Sequence, residues 1–277
     1  MSKLVVTIPT YNAGSYLKHT VAQIRGERKA GVNLELYLVD DCSTDDTREY
    51  IRAISDKEQW IHPIYHDHNM GLTASFNDCL RIGKATDADY MVLMCQDDAV
   101  YSGSFYKKMK VFDKNSSVTL VCGETDIVNS RGKKILTRKS LPSGILDGTQ
   151  YVKKSIYRGN IFGEPSVVMF RLDSARSAGE FDETLFYSLD GEYFSRIAVQ
   201  GKIGSIGEAL GAFRISHTSA SSKILKNYTM AEKQNSMVVA KLYSLLGLRE
   251  TFLRRVLRKC MFAAKSTIKA LIFRFLA

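Results

Sequence analysis

The chain has 277 residues, 45% apolar and 25% charged, with a formal net charge of +10. That composition excludes a disordered or collagen-like chain and suffices for one large α/β domain, or a domain with an appendage. The charge is local: residues 241–277 carry nine Lys/Arg against one acid, Glu250, and the remaining chain holds 30 basic and 28 acidic residues, which excludes a global nucleic-acid-binding surface.

Leu4 to Ile8 is predicted as a first buried strand, ending in the turn formers Pro9-Thr10-Tyr11-Asn12-Ala13-Gly14. Ser15 is expected to cap a helix with Leu17, Val21 and Ile24 on one face. Leu34 to Val39 is predicted as the second strand, ending at Asp40-Asp41, and Ser43 with Asp46 reads as a capping box for the helix that follows. A third strand is expected at Ile61 to Tyr65. A loop at Asn69-Met70-Gly71 then leads into a helix from about Thr73.

Tyr90 to Val100, YMVLMCQDDAV, is the stretch with most chemical content. Its apolar run has no alternation, as expected for a parallel strand buried on both faces. It stops at Gln96-Asp97-Asp98. Adjacent carboxylates repel unless a cation or hydrogen bonds relieve them, and such hard oxygen ligands suit Mg²⁺ or Mn²⁺ bridging to substrate phosphates. The alternative is a solvated turn. Alternating strands and helices predict a doubly wound, mostly parallel sheet, with Thr10, Asp41, Gly71 and Asp97-Asp98 converging on one edge.

Beyond Val100 the pattern is less regular. Phe105 to Phe112 is expected to be helical, Val118 to Cys122 and Val167 to Phe170 strands, and the basic run within Asn129 to Ser143 a solvated loop. Asp190-Gly191-Glu192 opens a helix to about Gln200, and Ala209 to Ile215 is a last strand before Ser216-His217-Thr218-Ser219. The spacings Gly26/Gly31 and Gly201/Gly204/Gly207 match neither a phosphate-binding loop nor a dinucleotide fingerprint. Met1-Ser2-Lys3 leads directly into the first strand, so no amino-terminal leader is expected. Five scattered cysteines without a CxxC pair predict reduced thiols in a cytoplasmic protein.

The ordered motifs VVTIPTYNAGSYL, LVDDCSTDDT, NMGLTASFN, MVLMCQDD, GEPSVVMFR, AGEFDETL, DGEYFSRIAVQGK and FRISHTSAS, spanning about Lys3 to Ser222, resemble an inverting family 2 glycosyltransferase of the GT-A type, as used in bacterial cell-surface polysaccharide assembly. The resemblance implies a catalytic domain over 1–222, a helical basic tail over 223–277, and sugar transfer from a nucleotide-diphospho sugar to a glycan or lipid-linked acceptor. It further implies that Pro9, Thr10 and Asn12 line the nucleotide pocket and that Asp41 accepts from the base. Gly71 would let backbone approach the nucleotide, Asp97 would lie near the ribose, and Asp98 would bind Mn²⁺ or Mg²⁺ on the diphosphate. Asp190 would be the general base, with Arg196 on the same helix. His217 would close over the diphosphate or metal, and Arg214 either reaches the diphosphate or is an ordinary strand-edge residue. Two positions depart from the family pattern: Cys95 replaces the first acid of the metal motif, and Leu189 replaces the Glu that usually precedes the base. The same broad fold leaves open a sugar-nucleotide nucleotidyltransferase, although PTYNAG is not its Gly-rich basic loop, or a catalytically degenerate membrane-associated scaffold.

From Leu242 onward apolar residues recur at helical spacing, with Arg254, Arg255, Arg258, Lys259 and Lys265 among the intervening positions. Such a basic amphipathic tail reads as lying on an anionic membrane surface, here the inner face of the cell membrane, or as packing on the catalytic domain or a partner.

Overall fold

A computed structural model describes residues 2–139, 141–215 and 227–276. The first half alternates β1 (Leu4–Thr10), α1 (Gly14–Lys29), β2 (Leu34–Asp40), α2 (Thr47–Ser55), β3 (Ile61–Tyr65), α3 (Leu72–Ala85) and β4 (Tyr90–Leu93). β1 pairs in parallel with both β2 and β4, and β2 with β3: Leu4 opposes both Leu34 and Tyr90, and Thr10 opposes Asp40. The apolar runs form strands because both faces of the sheet are covered. Leu4, Val6 and Ile8 face Leu17, Val21 and Ile24 of α1, whereas Val5 faces the cluster that holds Phe76 and Leu80 of α3.

Two expected helix caps do not form. Ala13 holds the cap position of α1 without a side-chain bond, and Ser15 lies inside the helix. The hydroxyl of Ser43 is taken by the N–H of Asn12 at 3.0 Å, which fastens the loop after β1 to the loop after β2, and α2 starts only after Asp46.

The second half contains β5 (Ala99–Val100), α4 (Ser104–Lys114), β6 (Val118–Val128), β7 (Lys134–Arg138), β8 (Gly144–Asp147) and α5 (Gly148–Arg158). A 3₁₀ turn (Pro165–Val167), β9 (Met169–Arg171), α6 (Leu172–Ala178), α7 (Leu189–Ala198) and β10 (Lys202–Arg214) follow. The basic run expected as a plain loop contains β7, antiparallel to β6 and held by Lys134 and Thr137 on Asp126 at 2.8 and 2.7 Å. β6 and β10 are longer than expected because they pair with each other over most of their length.

The strand order is β3-β2-β1-β4-β9-β6-β10-β5, with β7 on β6 and β8 on β10. The sheet is mixed but mostly parallel: the long strands share one direction, and short β9 runs against both β4 and β6. Their carboxyl ends therefore meet at one rim, where open α/β sheets take their ligands.

Two helices complete the described chain, α8 (Tyr228–Leu245) and α9 (Phe252–Leu276). α8 packs Val238, Val239, Leu242 and Tyr243 into the cluster formed by α5, α7 and the sheet. α9 docks through its polar side: Arg258 is buried on Glu250 and Ser236, and Lys265 donates to the carbonyl of Tyr157. Phe252, Leu253 and Leu257 are left 80%, 76% and 53% exposed. Among the described residues no helix is long and apolar enough to cross a membrane.

β5 hangs on β10 with no room to spare. A Cβ at Gly211 would stand 2.3 Å from the carbonyl oxygen of Ala99, the residue after Asp98. Gly211→Ala is expected to lower the unfolding free energy by about 1–3 kcal/mol, measured by urea denaturation; an unchanged midpoint contradicts this packing.

Candidate active site

The rim carries two polar corners joined by the loop after β1. The first is built on Asp41. Its N–H donates to the carbonyl of Thr10 at 2.8 Å. Oδ1 accepts from the Met70 N–H at 2.7 Å and faces Nδ1 of His66 at 2.9 Å, and Oδ2 accepts from the Gly71 N–H at 2.9 Å. Burial pushes this carboxyl up, but the bonds from His66, Met70 and Gly71 outweigh it and hold Asp41 below its ordinary range. The other ring nitrogen of His66 lies 3.0 Å from Asp78. Asp41 is thus an ionised, acceptor-only group in a sheltered corner, and Oδ2 keeps a lone pair for an incoming N–H.

Pro9 and Thr10 are buried at the end of β1, and the Thr10 hydroxyl donates to the carbonyl of Val39 at 3.3 Å. Asn12 sits at φ 47°, a conformation Asn tolerates, and its side-chain oxygen accepts from the Thr44 N–H at 2.8 Å. Tyr11 between them is 45% exposed, and Gln96 brackets its backbone from both sides at 2.8 and 3.1 Å. These contacts couple the first corner to the second.

The second corner begins where β4 ends. Asp98 is 3% exposed. Its Oδ2 accepts from Ser166 Oγ at 2.6 Å and its Oδ1 from the Arg214 N–H at 3.2 Å. Burial, then the neighbouring charge of Asp97, pushes Asp98 well above the carboxylate range; burial also raises Asp97, against the pull of its own backbone N–H and of Arg214. The Arg214 guanidinium donates to the carbonyls of Asp97, Asn129 and Ser130 at 3.2, 3.2 and 3.0 Å, so it stitches the acid loop to the end of β6.

Asp190 lies in the first turn of α7, two residues past the cap position, which Ser188 holds at φ 55°. Its Oδ2 accepts from Asn160 Nδ2 at 2.7 Å, and the same amide donates to the Gly163 carbonyl at 2.9 Å. Gly191 makes this approach possible, since a Cβ there would stand 2.8 Å from Asn160 Cβ. Burial raises Asp190 above its ordinary value; Glu164 adds to the rise, while the Gly191 N–H, Arg138 and Asn160 oppose it. The Cys95 thiol is pushed well up by burial and then by Asp98, Asp97 and Asp190, so all three acids act on one position at the end of β4. Leu189 is 6% exposed and belongs to the apolar core.

The geometry therefore brings Asp97, Asp98, Asp190 and Arg214 together and ties Asp41, Gly71, Thr10 and Asn12 to them through one loop. Arg196 is not with them. It is six positions beyond Asp190, about 120° around α7, where it binds Glu192 at 2.9 Å and the carbonyls of Ala178 and Glu180, fastening α7 to the end of α6. His217 lies outside the described residues. Sequence reasoning missed Ser166, Asn160, Glu164 and His66, each of which touches its partner across a long sequence separation.

Among the described residues, no three His, Cys, Asp or Glu side chains converge as a metal cage. Asp97 and Asp98 still fit a divalent cation: two adjacent oxygen donors hold more negative charge than the surrounding protein balances. Mg²⁺-type ions are commonly held by one or two carboxylates plus substrate phosphates.

The sequence profile described as Glycosyl transferase family 2 matches residues 5–176. An uncharacterized protein of Mycobacterium tuberculosis is 24% identical over 228 residues, 78% of this chain and 67% of that one. Among solved structures, S. aureus TarS 1-349 in complex with UDP-GlcNAc superposes with a TM-score of 0.67 at 16% identity, covering 88% of this chain and 70% of that chain. The mannosyltransferase PcManGT of Pyrobaculum calidifontis, in complex with GDP-Man and Mn²⁺, gives a TM-score of 0.59 at 11% identity, covering 99% and 84%. The fold of this chain is that of these GT-A enzymes.

The raised carboxyl of Asp98 has a testable sign. Its proton is held more tightly folded than unfolded, so its contribution to stability is full in acid and is lost as pH rises through the raised folded value. Asn at 98 accepts from the Arg214 N–H and donates to Ser166, and it carries no charge to bury. In chelator, Asp98→Asn is expected to melt above the parent at pH 7, with the gap closing toward pH 4; a lower melting temperature at pH 7 contradicts the assignment.

Proposed function

Starting from the fact that the chain belongs to glycosyl transferase family 2, as its match over residues 5–176 establishes, we propose that it moves a sugar from a nucleotide-diphospho sugar to an acceptor hydroxyl, with inversion. One observation carries the reading. The segment 160–166 bonds both Asp190, through Asn160, and Asp98, through Ser166. A proton acceptor and a diphosphate-side acid are thereby held by a single stretch of backbone.

The roles follow from the donors and acceptors available. The Asp41 corner offers an ionised acceptor to a base that presents an N–H, and the exposed ring of Tyr11 stands at its rim for stacking. The loop after β4, fastened by Arg214 through the Asp97 carbonyl, would face the phosphates. Asp98, with Asp97 beside it, would hold Mn²⁺ or Mg²⁺, which when bound supplies Lewis-acid stabilisation of the departing diphosphate. Asp190 takes the acceptor proton; its raised proton affinity suits a base working near neutral pH. No side chain is asked to form a covalent intermediate, as expected for direct inversion. TarS with UDP-GlcNAc and PcManGT with GDP-Man and Mn²⁺ support both the donor class and the metal.

The outward apolar face of α9 supports an acceptor carried at an anionic membrane. Docking through Arg258 leaves Phe252, Leu253, Val256 and Leu257 facing away from the body, with Arg254, Arg255 and Lys259 alongside. Apolar residues flanked by cations match the interfacial plane of a bilayer.

Two measurements test the reading. With a panel of UDP- and GDP-sugars and Mn²⁺, one donor is expected to release nucleoside diphosphate in the presence of an acceptor. Asp98→Ala and Asp190→Asn are each expected to lower turnover about 10²-fold or more, and full activity in either variant contradicts the assigned role. In flotation assays the chain is expected to bind vesicles of anionic lipid in a salt-sensitive way. Phe252→Asp with Leu253→Asp should weaken that binding at least about tenfold; a protein that stays off such vesicles at low salt removes the membrane.

A further inference from the structure

Glu164 is an acid of this rim that the reaction just described does not use. It is 8% exposed and immediately precedes the 3₁₀ turn that carries Ser166. Its Oε1 accepts from Arg138 Nη1 at 2.5 Å, whereas Oε2 is buried without a hydrogen-bond partner. A buried, unpaired carboxylate oxygen is destabilising, and a folded protein that keeps one calls for an explanation.

Its position supplies one. Gly163, directly before it, has its carbonyl bound by the amide that also binds Asp190 Oδ2, at 2.9 and 2.7 Å. Two residues later Ser166 binds Asp98 at 2.6 Å. Glu164 therefore stands between the two acids on the segment that holds both. Its own counter-charge comes from Arg138 of β7. We infer that Glu164 is a positioning residue acting through Asp190: the Glu164–Arg138 pair, joined at 2.5 Å beside the segment whose Asn160 grips Asp190, tunes the base from its flank, a like charge nearby opposing ionisation of a carboxyl and an opposite charge favouring it. This rests on Asp190 being the base.

The charged and titratable groups on this rim beside Asp190 include Asp97 and Asp98 at the end of β4, which act with Asp190 on the Cys95 thiol. Glu164 and Arg138 act on Asp190 from the 160–166 segment and β7, Tyr187 from its own stretch, and Cys95 from the end of β4. Removing either member of the pair leaves the other acting alone, so the two removals displace Asp190 in opposite directions. A purely structural pair does not behave that way, because losing either half then lowers activity without moving the base.

The test is the pH profile of kcat/KM, whose acidic limb reports the base of the free enzyme. The full chain is used, with the nucleotide sugar it turns over. Glu164→Gln is expected to move that limb down, and Arg138→Met to move it up, each by about one pH unit. Arg138→Lys, which keeps the charge, should restore the parent profile. Should Glu164→Gln fail to fold, the contrast between Arg138→Met and Arg138→Lys decides alone. Shifts in the same direction, or a loss of activity with unmoved limbs, overturn the inference. Asp190→Asn separates the two levels. If it stays active, the base assignment falls and this inference with it; if it is inactive while the opposed shifts are absent, only the role of Glu164 falls.

Discussion

Uncompensated negative charge at the carboxyl end of β4 is the constraint on which this site depends. Asp97, Asp98, Asp190 and Glu164 share one buried rim, and burial disfavours the charged form of a carboxylate. The protein answers with hydrogen bonds more than with cations. Ser166 and the Arg214 N–H bind Asp98, and Asn160 binds Asp190. The Arg214 guanidinium meanwhile faces backbone carbonyls. The result is a rim that orients its acids without neutralising them. Such a rim loses stability at neutral pH and gains affinity for a cationic or phosphate-plus-cation ligand, the usual exchange of stability for function at an active site.

The Asp41 corner solves the same problem in the opposite sense. There the hydrogen bonds from His66, Met70 and Gly71 exceed the burial effect, and the carboxyl stays below its ordinary range. One rim therefore offers a firmly ionised acceptor at one end and proton-retaining acids at the other. Recognition of a neutral N–H and proton transfer ask for these two different properties, and the loop from Thr10 to Asn12 keeps both ends in register.

Much of this could be read from the chain before any coordinates. β1, β2 and β4 announce themselves as apolar runs because both faces of the sheet are covered, and their shared direction places Asp41, Gly71 and Asp98 on one edge. β7 was hidden because Lys134–Arg138 is a partly exposed edge strand rich in cations, a composition that also describes a loop. β5 has two residues and no periodicity to detect. Arg196 bonds Glu192 and the end of α6 and not the acids, since sharing a helix with Asp190 does not mean sharing its face. The supporting residues escaped notice for a simpler reason: Ser166 meets Asp98 across 68 positions, Asn160 meets Asp190 across 30, and His66 meets Asp41 across 25. No local pattern encodes such partners.

The double attachment of segment 160–166 limits how this enzyme could diversify. Loops that only line a pocket can be exchanged like interchangeable parts, so that relatives acquire new acceptors by grafting. Here the stretch 160–166 bonds Asp98 and Asp190 at once, so under the proposed roles a transplanted loop would carry its own alignment or leave the chemistry unassembled. Variation in what is glycosylated is then channelled to surfaces that bear no such duty, such as the β6–β7 hairpin and the outward face of α9.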